Sequence, residues 1–521
     1  MKKFRLTIVF LILLSYLLII GGEVRAAPIT YYRYVVPGGS QKSEYCIRSE
    51  PCDLRYAIDV VAQSGDIIVV HSGIYHSTLP GEDLIVINKH LTLWGSCEFD
   101  SSTPFICYPE QRNSVLDAEN TKRVIRIEGT GVEDIYIDGL TIMRGDGTGM
   151  VPCYNGMSGC GGGIHATSIH KLTLNNNYIW DNIAGSTNGV GGGLYAVNVD
   201  HVLAENNDFY FNQATETGLG GGGGAFVWIS GGPHAVEFNK NVFHGNETNT
   251  DNTLYSAGGG VLVYQCNNVQ ISENKFEYNN GIEQNLDLRG TSLFLSSNTG
   301  NFVEGNHFRN DAGTSVVALL GNNTNYSGIN RNKWWNNMVF FNLDLQGELN
   351  VDIFNNFLGR QLLVPESRGG ASTLIISEGG STSAQVQAKI LFNTFAGANY
   401  GVDVGEYSDL VIYNNIFTEL TDAFLLSGTT STIEIDNNLF HNNVSYNTIG
   451  TSPIFEDPKL IDVGNGDFHI LPGSGAIDTA IACDFDEDID GDIRPIGLGP
   501  TPYDVGADEY QVINYLPLIL Q

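Results

Sequence analysis

One short pattern recurs ten times through the middle of the chain and constrains its folding more than any other feature: an Asn, any residue, then a large apolar residue. The copies are Asn177/Ile179, Asn207/Phe209, Asn241/Phe243, Asn274/Phe276, Asn306/Phe308, Asn332/Trp334, Asn355/Phe357, Asn393/Phe395, Asn415/Phe417 and Asn438/Phe440. Their intervals are 30, 34, 33, 32, 26, 23, 38, 22 and 23 residues. Asn182, Asn212, Asn246, Asn279 and Asn337 stand three positions after the apolar residue, and Asp311 takes the equivalent place in another copy.

The 22- and 23-residue intervals suit a coil of three short strands joined by turns, and the longer ones suit the same coil with one loop extended. They exclude a propeller, whose blades take four strands and roughly 40–50 residues each. Asn tolerates the left-handed backbone region, so the repeated Asn is expected to turn a corner between strands. Stacked coil on coil, its amide can build a ladder along the axis. The apolar residue two positions on then points inward, since strand side chains alternate. The expected fold is all-β: a right-handed parallel β-helix, a solenoid that buries a core only by stacking its coils.

A second marker precedes each strand in the first half: Gly161-Gly162-Gly163, Gly191-Gly192-Gly193, Gly222-Gly223-Gly224 and Gly258-Gly259-Gly260. Much of the excess of glycine, 62 in 521 residues, sits here. These runs let a loop turn back into the stack. A nucleotide-binding glycine loop needs a helix start and an acidic partner, and neither follows.

The start of the chain is basic, Leu6–Ile20 is apolar apart from Thr7, Ser15 and Tyr16, and Val24-Arg25-Ala26 offers small residues for a peptidase. Residues 1–26 therefore read as a secretory signal peptide, too short in apolar length for the roughly 20 residues of a membrane span. Residues 27–65 read as an N-terminal cap, 66–450 as the solenoid and 451–521 as a closing segment. Leu54, Ala57, Ile58 and Val61 lie at helical spacing and suit a short capping helix. Removing residues 1–26 takes away four bases and one acid, so a net charge of −32 becomes −32 − (4 − 1) = −35. Such a chain is no nucleic-acid binder, because neutralising phosphates needs clustered Lys and Arg. Six of the eight cysteines form close pairs, Cys46 with Cys52, Cys97 with Cys107 and Cys153 with Cys160, which suggests local disulfides in an oxidising compartment. Cys266 and Cys483 remain, and Cys266 follows an apolar run that suits a buried thiol.

The glycine runs together with Phe209 to Asn212, Phe243 to Asn246 and Phe276 to Asn279 resemble the repeats of polymorphic outer-membrane proteins and the wider pectate-lyase-like β-helix superfamily. Residues 52–58, 65–70 and 73–75 resemble the cap of secreted bacterial β-helices. Residues 468–478, 490–495 and 504–509 resemble the closing segment of bacterial choice-of-anchor surface proteins. These resemblances imply fold and export; the superfamily mixes enzymes with adhesins, so they leave activity open.

If Ile164, Leu194, Ala225 and Val261 point inward, the alternate positions expose His165, Tyr195, Phe226, Trp228 and Tyr264, with Phe294 on the next coil. Sugar rings stack on aromatics, so this stripe is a candidate carbohydrate platform; with the stripe covered by loops, the same residues would be plain packing. Intact pectate-lyase or polygalacturonase motifs are missing, and Asp146, Glu247, Asp251, Asp287 and Arg289 are the loop residues from which a catalytic set could come. Arg331 and Lys333 beside Trp334 and Trp335 offer an anion site. Asp486, Asp488 and Asp490 before Gly491 reproduce the first half of a calcium-binding loop, while Gly497 stands where its bidentate Glu would be. The expectation is a secreted or cell-surface monomer that binds polysaccharide or a surface protein without catalysis, with no transmembrane segment or membrane barrel in the mature chain and with calcium as a candidate cofactor. The alternative is a polysaccharide lyase or glycoside hydrolase using loop residues.

Overall fold

The computed structural model describes residues 30–510 apart from 77–82, 101–103, 132, 151–152, 154–155, 230–234, 250–255, 280–289, 336–337, 360–371, 378–385, 428–429, 482–486 and 495–502, and apart from the side chains of 299, 322–326, 334–341 and 377. The expected signal peptide, Cys483, Asp486, Asp251, Asp287, Arg289 and the side chains of Trp334 and Trp335 lie outside the described residues.

The chain is a parallel β-helix. Among the described residues, a larger sheet holds 23 strands and a smaller one 13, and consecutive coils pair in parallel register. In the coil of residues 164–182, Ile164–Asn175 forms two runs of the larger sheet separated by a left-handed bend at Ser168. A second left-handed residue, Asn176, turns the chain into Tyr178–Trp180 of the smaller sheet, and a third, Asp181, turns it out again. Ile164, Ala166, Leu172, Leu174 and Ile179 face the core. Phe209, Phe243, Phe276 and Phe308 repeat the Ile179 position and stack ring on ring at 4.8–4.9 Å.

The amide ladder is continuous. It runs through Asn177, Asn207, Asn241, Asn274, Asn306, Asn332, Asn356, Asn393, Asn415 and Asn438, all buried. From Asn207 on, each Oδ1 accepts both the backbone N–H and the Nδ2 of the Asn one coil earlier, and Asn177 Oδ1 accepts from Leu140 N. Each Nδ2 also meets a backbone carbonyl, as Asn241 meets Ala204 at 2.8 Å. These side chains are satisfied in the core, so their burial carries little of the penalty of an unpaired amide.

Two expectations change. The ladder Asn does not turn the corner; the residue before it does, with positive φ at Asn176, Asn206, Lys240, Glu273, Gly305, Arg331, Asn355, Phe392, Asn414 and Asn437. The copy expected at Asn355/Phe357 is one residue later, at Asn356/Leu358: Asn355 is the corner, and Phe357 lies on the outer face with Ala396, Phe468, Ile489 and Ala507.

The second ladder runs through Asn182, Asn212, Asn246 and Asn279 to Asp311, whose Oδ1 accepts from Asn279 N at 2.8 Å. The glycine runs re-enter the stack as expected. Gly191 has φ +69°, and a Cβ on Gly193 would lie 2.6 Å from Gly224 O of the next coil.

At the start, Tyr32–Ser40 pairs in parallel with Asp66–His71, so the cap region already supplies a strand to the larger sheet. A helical segment follows, Leu54–Tyr56 continuing as Ala57–Val61, with Asp53 capping Tyr56 N and Leu54, Ala57 and Ile58 buried. The disulfides Cys46–Cys52, Cys97–Cys107 and Cys153–Cys160 are formed; Cys266 is a buried free thiol. At the other end the stack reaches Ile454, which pairs with Leu439. Residues after it turn back along the flank. The hairpin of Leu460–Asp462 and Asp467–Ile470 and the turns behind it bring Phe468, Ile470, Ala476, Ile489, Val505 and Ala507 onto Phe357, Phe392, Ala396, Ile416 and Leu439. The closing segment is thus a lateral clamp. Arg494, fully buried, holds it: its guanidinium bonds Glu509 at 3.0 Å, Gly506 O at 2.8 Å and Asn355 Oδ1 at 3.3 Å, and lies over Phe392.

Candidate functional site

The inward parity expected after the glycine runs is found: Ile164, Leu194, Ala225, Val261 and Leu293 are core residues. The outward stripe is two rows, however. His165, Tyr195, Phe226, Leu262 and Phe294 stand in one register; Val197, Trp228, Tyr264 and Ser296 stand in the next. His165, Tyr195 and Phe226 are buried, stacked at 4.9 and 5.7 Å. A three-stranded sheet of Gly159–Cys160, Ile183–Val190 and Gln213–Gly221, built from the loops before the glycine runs, lies over them and adds Cys160 and Val190 to their cluster. Trp228, Tyr264 and Phe294 stay half-exposed, with Trp228 Nε1 donating to Gln265 Oε1 at 2.9 Å.

The two described loop carboxylates, Asp146 and Glu247, do not form a pair. Asp146, Ile183, Gln213 and Glu247 bridge one to the next, which sets the two acids three coils apart. At about 4.8 Å per coil that is roughly 14 Å, beyond the roughly 5–9.5 Å over which two carboxylates share a glycosidic bond.

Of the calcium candidates, Asp488 and Asp490 are described and Asp486 is not. Asp488 is buried, and its carboxylate accepts from Asp490 N (2.9 Å), Asp492 N (2.8 Å) and Glu509 N (3.1 Å), so it caps a turn. Asp490 points elsewhere, to His469 Nε2 at 2.7 Å and Lys333 Nζ at 3.2 Å. Arg331 and Lys333 are no open anion site either: Arg331 pairs with Glu304 (2.7 Å) and Glu487 (2.9 Å).

The strongest arrangement lies on the outer face of the smaller sheet, in rows of which the sequence singled out Lys333 alone among the described side chains. One row reads Tyr178, Asp208, Val242, Lys275, His307, Lys333, and the other Trp180, Tyr210, His244, Glu277, Arg309. Aromatic rings crowd the first half of this face. Tyr178 meets Trp180 and Tyr210 at 6.4 and 5.5 Å, Tyr210 stacks on His244 at 4.9 Å, and Phe211 and Tyr278 close on His244 at 5.5 and 5.2 Å.

Phe211 and Tyr278 occupy the left-handed corner after the strand, with φ 50° and 55°, where neighbouring coils place Asp181, Gly245 and Asn310. A bulky residue is strained there by the order of 1–3 kcal/mol. Both are also exposed, 54 % and 49 %. An exposed ring on a left-handed backbone sets these two positions apart from the other corners of the face. Arg112 holds the rim, paired with Asp208 and bonded to Asn176 O and Asn206 O of adjacent corners.

Beyond the aromatics the face turns basic. Lys275, His307 and Lys333 stand on successive coils, with Arg309 beside them. Among the described residues Lys275 and Arg309 have no ion pair. His307 is half-buried and its imidazole is held below its ordinary value by that burial, reinforced by Arg309, Lys333 and Lys275 against Glu277. This favours the neutral imidazole. Past Lys333 the same face is apolar and lies under the closing segment, as Phe357, Ile416 and Leu439.

The signal for these rows was present as the residues either side of the inward apolar position, which run Tyr/Trp, Asp/Tyr, Val/His, Lys/Glu and His/Arg through successive copies.

No family model matches the chain, and no curated protein matches it. Among solved structures it is similar to the crystal structure of pectate lyase Pel9A, at 12 % identity over 92 % of this chain and 97 % of that one, with a TM-score of 0.33. It is also similar to a PL6 alginate lyase in complex with a trisaccharide, at 11 % identity over 87 % and 93 %, with a TM-score of 0.36.

Proposed function

We propose that this β-helix binds polysaccharide along the outer face of its smaller sheet, as a secreted or cell-surface protein. The observation that carries the reading is the pair of strained, exposed aromatics, Phe211 and Tyr278, flanking a stacked aromatic row that leads into Lys275, His307 and Arg309. Rings offer flat apolar surface to sugar C–H faces; the cations beyond them favour carboxylated or sulfated units. Coil spacing near 4.8 Å is close to the length of one pyranose in an extended chain, so a linear glycan can repeat its contacts coil by coil. The disulfides accord with an exported protein. Among the described residues no helix is long and apolar enough to cross a membrane.

Calorimetry against a panel of neutral and acidic polysaccharides tests this. Phe211→Gly and Tyr278→Gly should each weaken binding at least about tenfold while raising stability by about 1 kcal/mol, since glycine relieves the left-handed strain. Binding unchanged in both variants refutes the reading.

His307 favours one second reading. A neutral imidazole among Lys275 and Arg309 is a base beside cations, which is what β-elimination of a uronate needs for its C5 proton and its enolate. Absorbance from unsaturated uronate, lost in His307→Ala, would make the protein a lyase.

A further inference from the structure

His469, Asp490 and Asp508 come from three separate stretches of the closing segment, yet each places a ligand atom within 4.8 Å of the other two. His469 Nε2 is 2.7 Å from Asp490 Oδ2, and its Nδ1 faces Asp467, so both ring nitrogens point at carboxylates. Asp508 is 7 % exposed; among the described residues its carboxylate receives one hydrogen bond, from Ile470 N at 2.7 Å. Asp508 is thus a deeply buried carboxylate with one donor, facing the His469 ring.

We propose that His469, Asp490 and Asp508 form a site for a divalent transition metal ion, with zinc as the expected occupant, that locks the closing segment onto the flank of the solenoid. One imidazole nitrogen and two carboxylate oxygens are three ligands of a borderline ion with bonds of about 2.0–2.2 Å, and they disfavour calcium, which takes six to eight oxygens. The ion takes the place of the proton between His469 and Asp490, and that proton leaves to solvent, so binding releases about one proton per ion at neutral pH. His469 and Asp490 then separate by roughly an ångström to sit on one centre. Asp467 is left beside the ring, and Lys333 stays on the other oxygen of Asp490. The site ties the hairpin at 467–470, the turn at 488–492 and the segment at 504–509, which also meet through the packing of Phe468, Ile489 and Ala507, through the carboxylates of Asp488 and Asp508 on backbone N–H groups, and through Arg494.

The full chain, stripped with chelator, is titrated with zinc chloride in two buffers of different ionisation enthalpy, with calcium chloride as a parallel arm. One zinc per chain, about one proton released and a raised melting temperature are expected. His469→Gln and Asp508→Asn, both kept folded by Arg494, should weaken zinc at least about 100-fold. Absence of a zinc-dependent heat, zinc affinity unchanged in both variants, or equal stabilisation by calcium overturns the proposal.

Discussion

Asp311 ends a ladder otherwise made of Asn, and that single change of chemistry has a calculable cost. Its Oδ1 accepts two hydrogen bonds from Asn279, as every Asn before it does for its neighbour, but its carboxyl is wholly buried. Burial pushes it from 3.8 up to about 7, with hydrogen bonds from Ser292 and Asn279 opposing and Glu277 adding to the rise. A folded value above the unfolded one means that the native state prefers the proton. The stability this supplies is complete below about pH 3.8 and is lost as pH climbs through 7. At about 1.4 kcal/mol per unit, the difference of roughly three units makes ionised Asp311 a liability of the order of 4 kcal/mol above pH 7. Asp311→Asn removes it and continues the ladder. Urea denaturation of both proteins from pH 8 to pH 5 measures the effect. The variant should lead by up to about 4 kcal/mol at pH 8, with the lead shrinking by about 2–3 kcal/mol by pH 5 as the wild type takes up its proton. Other titrating groups are common to both proteins and cancel. A lead that stays constant across this range refutes the reasoning.

Three further outcomes are expected. Asn241→Ala leaves Asn207 N–H and Ala204 O without partners in the core and should cost about 3 kcal/mol in denaturant unfolding; a loss below 1 kcal/mol would mean that water enters the ladder. Arg494→Ala strands the buried Glu509 carboxylate, a loss of about 3–5 kcal/mol, and limited proteolysis should then cut within residues 455–510 while sparing the coils before them. Burial pushes the Cys266 thiol up to about 12, so peptide mapping after alkylation at pH 8 should find it unmodified in the folded protein and fully modified in urea.

The coil was legible because its determinants are local and repeated. Asn207 and Phe209 lie two residues apart, and each coil restates the same inward pattern, so parity, core and ladder followed from spacing alone. Register at Asn355–Asn356 was not legible: two adjacent Asn both fit, and only the pairing of Asn356 with Asn332 and Asn393 separates ladder from corner. The covering of His165, Tyr195 and Phe226 was hidden for a different reason. Their cover comes from loops whose polar, glycine-rich residues carry no strand signal until three of them stack. The carboxylates near 488 read as calcium ligands because alternation is visible in sequence, whereas the backbone N–H of Glu509, 21 residues away, is not. The aromatic face carries no repeated marker: its outward residues change type from coil to coil, Tyr178 and Trp180 giving way to Asp208 and Tyr210 and then to Val242 and His244.

The route of the closing segment also decides how the molecule carries tension. Residues 504–509 are fastened to Asn355 through Arg494, to Thr394 through Ala507 N and to Asn414 through Gly506 N. A pull applied at residue 510 is therefore delivered first in shear to the coils around 355–416, and the coils from about 420 to 454 share the load only through the packing of Leu439 under the clamp and the bond from Asn437 Nδ2 to Thr479 O. They bear the full pull only after the clamp has failed, so the last turns of the solenoid are mechanically sheltered by a segment that follows them in the chain.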